Sequence, residues 1–222
     1  MTSPRSPYSA GSTTTESISD WAELHTKQIT LGVVVLVAAV GGVWFYSRSQ
    51  DLKAERAERA YYAAQGSIAS GNLPLAESDL KKLVTRYEGT DGAMQGRLLL
   101  AQILYEQGKH QEGVNQLVEG EKALSGSSEF GASGYLVMAA GYEQLKKFAD
   151  AGAAYEKAAA AARFDPDRHR YQSLAAGAYK LGGKPEEAKR LWTPLAADSK
   201  SVVAGEARVR LGEMTVTAQP KS

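Results

Sequence analysis

Cysteine is absent from the 222-residue chain. That excludes disulfides, thiolate metal sites, a cysteine nucleophile and a lipidated N-terminal cysteine. There are three histidines, His25, His110 and His169, in three different contexts, and no two have metal-ligand spacing. Charge of one sign is not in excess: 26 Lys and Arg face 25 Asp and Glu. The chain therefore lacks the electrostatic footprint of a nucleic-acid binder, and no DNA or RNA partner is expected. β-Branched residues are sparse after residue 47 while alanine and glycine are abundant, which predicts a nearly all-helical domain. With no convincing strand there is no Gly-rich phosphate loop, and Gly182-Gly183 reads as a helix–helix turn. His169 near Asp165 and Asp167 is read as a solvent-facing helix start. No Ser–His–Asp arrangement is supported. The sequence gives no reason to expect an enzyme or a cofactor.

What the chain does have is one long apolar run. Gln28 to Ser47, QITLGVVVLVAAVGGVWFYS, is twenty residues without a formal charge, fenced by Lys27 and Arg48. As a helix it covers about 30 Å, the thickness of a bilayer's hydrocarbon core. Trp44, Phe45 and Tyr46 crowd its far end, where aromatic rings favour the lipid–water boundary. The expected membrane helix spans 29–46, with Ile29, Leu31, Val35 and Leu36 toward lipid. A cleaved secretory signal fits less well. Twenty-seven residues precede the run, including Glu16, Asp20 and Glu23, and the exit lacks a small-x-small site. Ala38 and Gly42 form a small-xxx-small pair, a route to a homodimer.

Before the span, residues 1–16 are Ser, Thr, Pro and Gly with few large apolar groups, read as a disordered tail. In 17–28, Ile18, Trp21 and Leu24 recur every three residues, as in a short amphipathic segment lying on the membrane. After the span no breaker occurs until Gly71, so one helix is expected to continue into a repeat domain at 47–214. Residues 215–222 are expected to fray.

That domain contains an internal repeat. Four segments align on a turn: SIASGNLPLAESDLKKL (67–83), LYEQGKHQEGVNQLVEG (104–120), YEQLKKFADAGAAYEKA (142–158) and YKLGGKPEEAKRLWTPL (179–195). The turn positions Gly71, Gly108, Lys146 and Gly183 are 37, 38 and 37 residues apart. Five residues on is a small residue (Ala76, Gly113, Ala151, Ala188), and four further on a large one (Leu80, Leu117, Tyr155, Trp192). Upstream, Ala64, Ala101, Ala139 and Ala176 hold a second small position. Small residues let two helices approach, large ones fill the gap to the next pair, and hairpins that each leave one apolar face wet must stack. Asp165-Pro166-Asp167 reads as N-cap, first-turn proline and dipole-friendly acid. Val203, Ala204, Ala207 and Leu211 make a last, capping helix.

At these positions the chain resembles the tetratricopeptide repeat (TPR), most clearly in the third unit at Tyr135, Met138, Ala139, Tyr142, Phe148, Ala151, Tyr155 and Ala158. The period exceeds the usual value of about 34, and the turns at 89–92 and 125–128 are expected to hold the extra residues. The resemblance implies an all-α solenoid of about four hairpins plus a cap, behind one membrane helix. It also implies a protein-binding groove lined by the first helix of each unit: Tyr61, Gln65, Ile68, Leu98, Gln102, Tyr105, Leu136, Glu143, Arg170 and Lys180. Some TPR proteins grip a C-terminal carboxylate with Lys, Arg and Asn. The matching positions here, Tyr61, Gln65, Leu99, Ser133 and Val137, lack that clamp.

The order of tail, span, helical continuation and TPR units is similar to the YfgM-like accessory subunit of the bacterial Sec translocon, whose domain is related to that of the cell-division coordinator CpoB. This implies a periplasmic domain in the bacterial inner membrane, with translocon subunits, periplasmic chaperones or emerging chains as partners besides lipid. Charge leans the other way. Arg48, Lys53, Arg56 and Arg59 follow the span, favouring a cytoplasm-facing adaptor by the positive-inside rule.

Overall fold

The computed structural model describes residues 26–217. The expectations for residues 1–16, for most of the amphipathic segment with Trp21, for residues 218–222 and for the side chain of Ile29 lie outside the described residues. Ten helices and no strand are found among the described residues. They are α1 (Thr26–Ala69), α2 (Leu73–Arg86), α3 (Asp91–Glu106), α4 (His110–Glu119), α5 (Glu121–Gly126), α6 (Gly131–Gln144), α7 (Phe148–Ala161), α8 (Asp165–Leu181), α9 (Pro185–Ala197) and α10 (Ala204–Thr217).

The chain divides into two compact units between Leu52 and Lys53. In the first, α1 exposes every large apolar side chain from Leu31 to Tyr46. From Val33 to Phe45 these side chains are 55% to 71% exposed. Among the described residues α1 alone is long and apolar enough to cross a membrane, by length and composition.

The second unit is four helix hairpins and a terminal helix. Ala57 and Ala64 near the end of α1 share a buried cluster with Ala76, Leu80 and Leu83 of α2; α3 pairs with α4, α6 with α7 and α8 with α9, and α10 packs on α9. All four hairpins turn through the same device. Gly71, Gly108, Lys146 and Gly183 each take a left-handed φ, between 57° and 75°. The next residue then donates its backbone N–H five residues back: Asn72 to Ser67 (2.9 Å), Lys109 to Leu104, Lys147 to Tyr142 and Lys184 to Tyr179 (2.8 Å each). The left-handed residue donates to the carbonyl three back. Together these bonds close the helix ends as Schellman motifs. The repeat found in sequence is therefore a repeat of turn geometry.

Packing follows the same register. The small positions Ala76, Gly113, Ala151 and Ala188, the large positions Leu80, Leu117, Tyr155 and Trp192, and the upstream alanines are all buried. Gly113 shows why size matters. A Cβ there would lie 2.4 Å from the Tyr105 ring and 2.9 Å from the Ala101 carbonyl oxygen. One buried cluster joins Ala57, Ala64, Ala76, Leu80 and Leu83 to Leu100, Ile103 and Leu104. The other runs from Met94 of α3 to Ala207 of α10 and includes Trp192 of α9. The buried Trp192 indole donates to Ser173 Oγ at 3.2 Å.

Two local expectations are corrected. The residues beyond the usual period do not sit in the 125–128 turn alone. They form the short helix α5, whose buried Leu124 rests against Gly134 of α6. At α8, Phe164 rather than Asp165 is the N-cap. Its carbonyl accepts the Arg168 N–H at 3.0 Å, and the Asp165 carboxylate pairs with the Arg168 side chain instead.

Ala151→Leu is expected to overpack the third hairpin and cost about 1–3 kcal/mol in denaturant melts. Ala153→Leu, exposed on the same helix, should cost little; equal effects would show that the register is wrong. Lys146→Gly should raise stability by about 1 kcal/mol, because glycine removes the left-handed strain of a side-chain-bearing residue.

Candidate functional site

The first helices of the hairpins carry the ten groove residues expected from sequence. Tyr61, Gln65 and Ile68 lie on α1, Leu98, Gln102 and Tyr105 on α3, Leu136 and Glu143 on α6, and Arg170 and Lys180 on α8. Gln65, Gln102 and Arg170 are exposed, and the other seven are half-buried. Several of those seven belong to the packing. Tyr61 and Ile68 lean on the first buried cluster, and Leu98, Tyr105 and Leu136 on the second. Tyr105 is wedged against Gly113 of α4 and Gly141 of α6, and its buried hydroxyl has no hydrogen-bond partner. It spaces two hairpins.

Glu143 and Lys180 are brought together. They line a cavity of about 350 Å³ with Leu174, Gly177, Leu181 and Arg210, the last from α10. Lys180 Nζ donates to Glu213 Oε2 at 3.0 Å, across to α10. Leu174 and Leu181 are 43% and 69% exposed. The sequence reading missed both leucines. Their signal is present as Arg170, Leu174, Gly177 and Leu181, spaced four, three and four, which is one stripe of a helix. The result is an apolar floor with an ionic rim, suited to a polypeptide segment.

Glu143 also faces inward to Tyr155. Burial, and then the Glu143 carboxylate, push the Tyr155 phenol up to about 12. Tyr105 and Tyr179 are raised as well, each chiefly by burial. The secondary causes are Tyr142 and the Glu156 carboxylate that accepts the Tyr179 hydroxyl at 2.8 Å.

His169 does not meet Asp165 or Asp167, and it is half-buried rather than solvent-facing. Its Nε2 lies 3.9 Å from Asp198 Oδ2, at the end of α9. Among the described residues no three His, Asp or Glu side chains are grouped to hold a metal. On α1, Leu31, Val35, Leu36, Trp44, Phe45 and Tyr46 are all exposed within their unit.

A family profile described as a tetratricopeptide repeat-like domain matches residues 19–129, half of the chain. The chain belongs to this family. Among solved structures, the TPR domain is similar to the nearly identical TPR-like repeats of a protein described as a kinesin light chain from Podosopora anserina. A point variant of that protein matches equally. The identity is 19% and the TM-score 0.50; the match covers 68% of this chain and 82% and 81% of those chains. This likeness concerns the fold. No curated protein matches the chain. TPR domains generally bind other proteins.

The tyrosines imply a pH dependence. Below pH 10, their ordinary value, they are neutral in both states. Above it the unfolded chain ionises first, while the folded chain resists up to about 12 for Tyr155. Stability is fully present below pH 10 and falls as pH rises toward 12. Tyr155→Phe should show a shallower loss in thermal melts across that window, and an identical slope would refute the assignment.

Proposed function

We propose that this chain is a membrane-tethered, non-catalytic TPR scaffold. Residues 29–46 span the bilayer, and 47–214 bind partner polypeptides on the first-helix face. The observation that carries the tether is the run of exposed apolar side chains of α1 between Leu31 and Tyr46. In water such a surface is unfavourable, whereas in lipid a helix satisfies its own backbone and its side chains match the solvent. The likeness in layout to the YfgM-like translocon subunit supports a domain on the periplasmic side of the bacterial inner membrane. There it would assist the Sec translocon or the folding of envelope proteins, with translocon subunits, chaperones or emerging chains as partners.

The ten residues from Tyr61 to Lys180 line the proposed groove, with Tyr105 as a spacer between hairpins rather than a contact. Gln65, Gln102 and Arg170, being exposed, are best placed for direct contact, and Glu143 with Lys180 for the polar rim. A second reading, a cytoplasm-facing adaptor for another membrane complex, is favoured by Arg48, Lys53, Arg56 and Arg59.

Protease added to intact spheroplasts separates the two. Digestion of the TPR domain without lysis is the expected result, and protection until lysis would replace the periplasmic reading by the adaptor. Release of a shortened, soluble chain would instead identify a cleaved signal and remove the tether. Photo-crosslinkers at Gln65 and Gln102 are expected to capture translocon subunits, while one at the buried Leu100 captures none.

A further inference from the structure

Away from the first-helix face, a cavity of about 650 Å³ opens where α2 joins α3 and where α4, α5 and α6 connect. Its size lies within the range of pockets that bury small ligands. Arg97 of α3 lines it and is only 7% exposed. Arg97 Nη1 donates to the Gln116 carbonyl at 2.6 Å, and the nearest carboxylate oxygen, Glu119 Oε2, is 3.6 Å away. That is beyond hydrogen-bond distance. The Glu119 side chain is 63% exposed, and its Oε2 also accepts a long hydrogen bond from Gln116 Nε2 at 3.4 Å.

A buried guanidinium without a hydrogen-bonded counter-charge is an unfavourable arrangement unless a partner completes it. Its planar fork is shaped to receive a carboxylate through two parallel bonds. The chain has made room for this side chain. A Cβ on Gly120 would lie 2.5 Å from Arg97 Cδ and 2.7 Å from Nε. Lys122 adds a second cation at the wall, and the first turn of α3 reaches the cavity, adding the positive end of one helix.

The rest of the lining carries the opposite sign. Glu88 and Asp91 stand on the α2–α3 side, Glu119 and Glu129 on the other, all four exposed. A dianion such as phosphate would be repelled by that rim. A single carboxylate with basic neighbours on both sides matches it.

We propose that this cavity binds an aspartate or glutamate side chain of a partner polypeptide. That carboxylate displaces Glu119, pairs with Arg97, and is flanked by lysine or arginine residues that meet the four rim acids. The site is separate from the first-helix face and does not depend on which side of the membrane the domain occupies.

The test uses the full chain in lipid nanodiscs. The probe is a short fluorescein-labelled peptide, amidated at its C-terminus, with one glutamate between two lysines. Its glutamine counterpart serves as control. Fluorescence anisotropy should show the glutamate peptide binding about tenfold or more tightly than the control, the size of a charge-assisted pair. Glu119→Gln, an exposed substitution that leaves the fold intact, should tighten the glutamate peptide by removing its competitor. Arg97→Lys should abolish the discrimination between the two peptides. Equal affinity for both peptides, or weakening by Glu119→Gln, overturns the proposal. Either result would leave Arg97 as a brace for the end of α4.

Discussion

The TPR unit depends on how closely its helices approach. Alanine or glycine stands wherever two helices of a hairpin cross, and Leu80, Leu117, Tyr155 or Trp192 fills the space toward the next pair. Dispersion and burial at these contacts supply most of the cohesion, because a void or a clash of one methylene is felt directly in a close-packed interior. Gly113 is the limiting case. The Tyr105 ring occupies the place a Cβ would take, so one residue's absence of a side chain is the seat of another's.

Turn geometry and surface polarity are secondary to that approach and consistent with it. Four Schellman closures return the chain at the same point of each repeat, which keeps the small positions in register. Across the outside, polar pairs join neighbouring units at nearly the repeat spacing. Lys109 meets Glu77, Lys147 meets Gln111, Lys157 meets Glu121 and Arg190 meets Glu156. Most of these side chains are exposed, and such pairs are individually weak. Their regularity matches an array whose stability is a sum of nearest-neighbour interfaces.

Residues buried at helix crossings are committed to packing, and the half-buried Tyr105 joins them by filling the space against Gly113 and Gly141. What remains available on the first helices is Gln65, Gln102, Arg170, Leu174 and Leu181, with Glu143 and Lys180 as a partly buried ionic rim. The apolar stretch of α1 from Leu31 to Tyr46 keeps its side chains exposed within its own unit.

The sequence by itself determined the apolar run, the repeat period, the turn positions and the small and large positions between them. Each of these is a property of residue size or local backbone freedom and needs no knowledge of neighbours distant in the chain. The tertiary structure decided the rest. It turned the surplus residues of the second unit into α5. It sank the charged Arg97 beside Gly120, and it set His169 against Asp198 rather than the acids next to it in sequence. It also left Leu174 and Leu181 uncovered. These outcomes turn on how one helix is rotated against another, and helical periodicity fixes which residues share a face but not which face meets which neighbour.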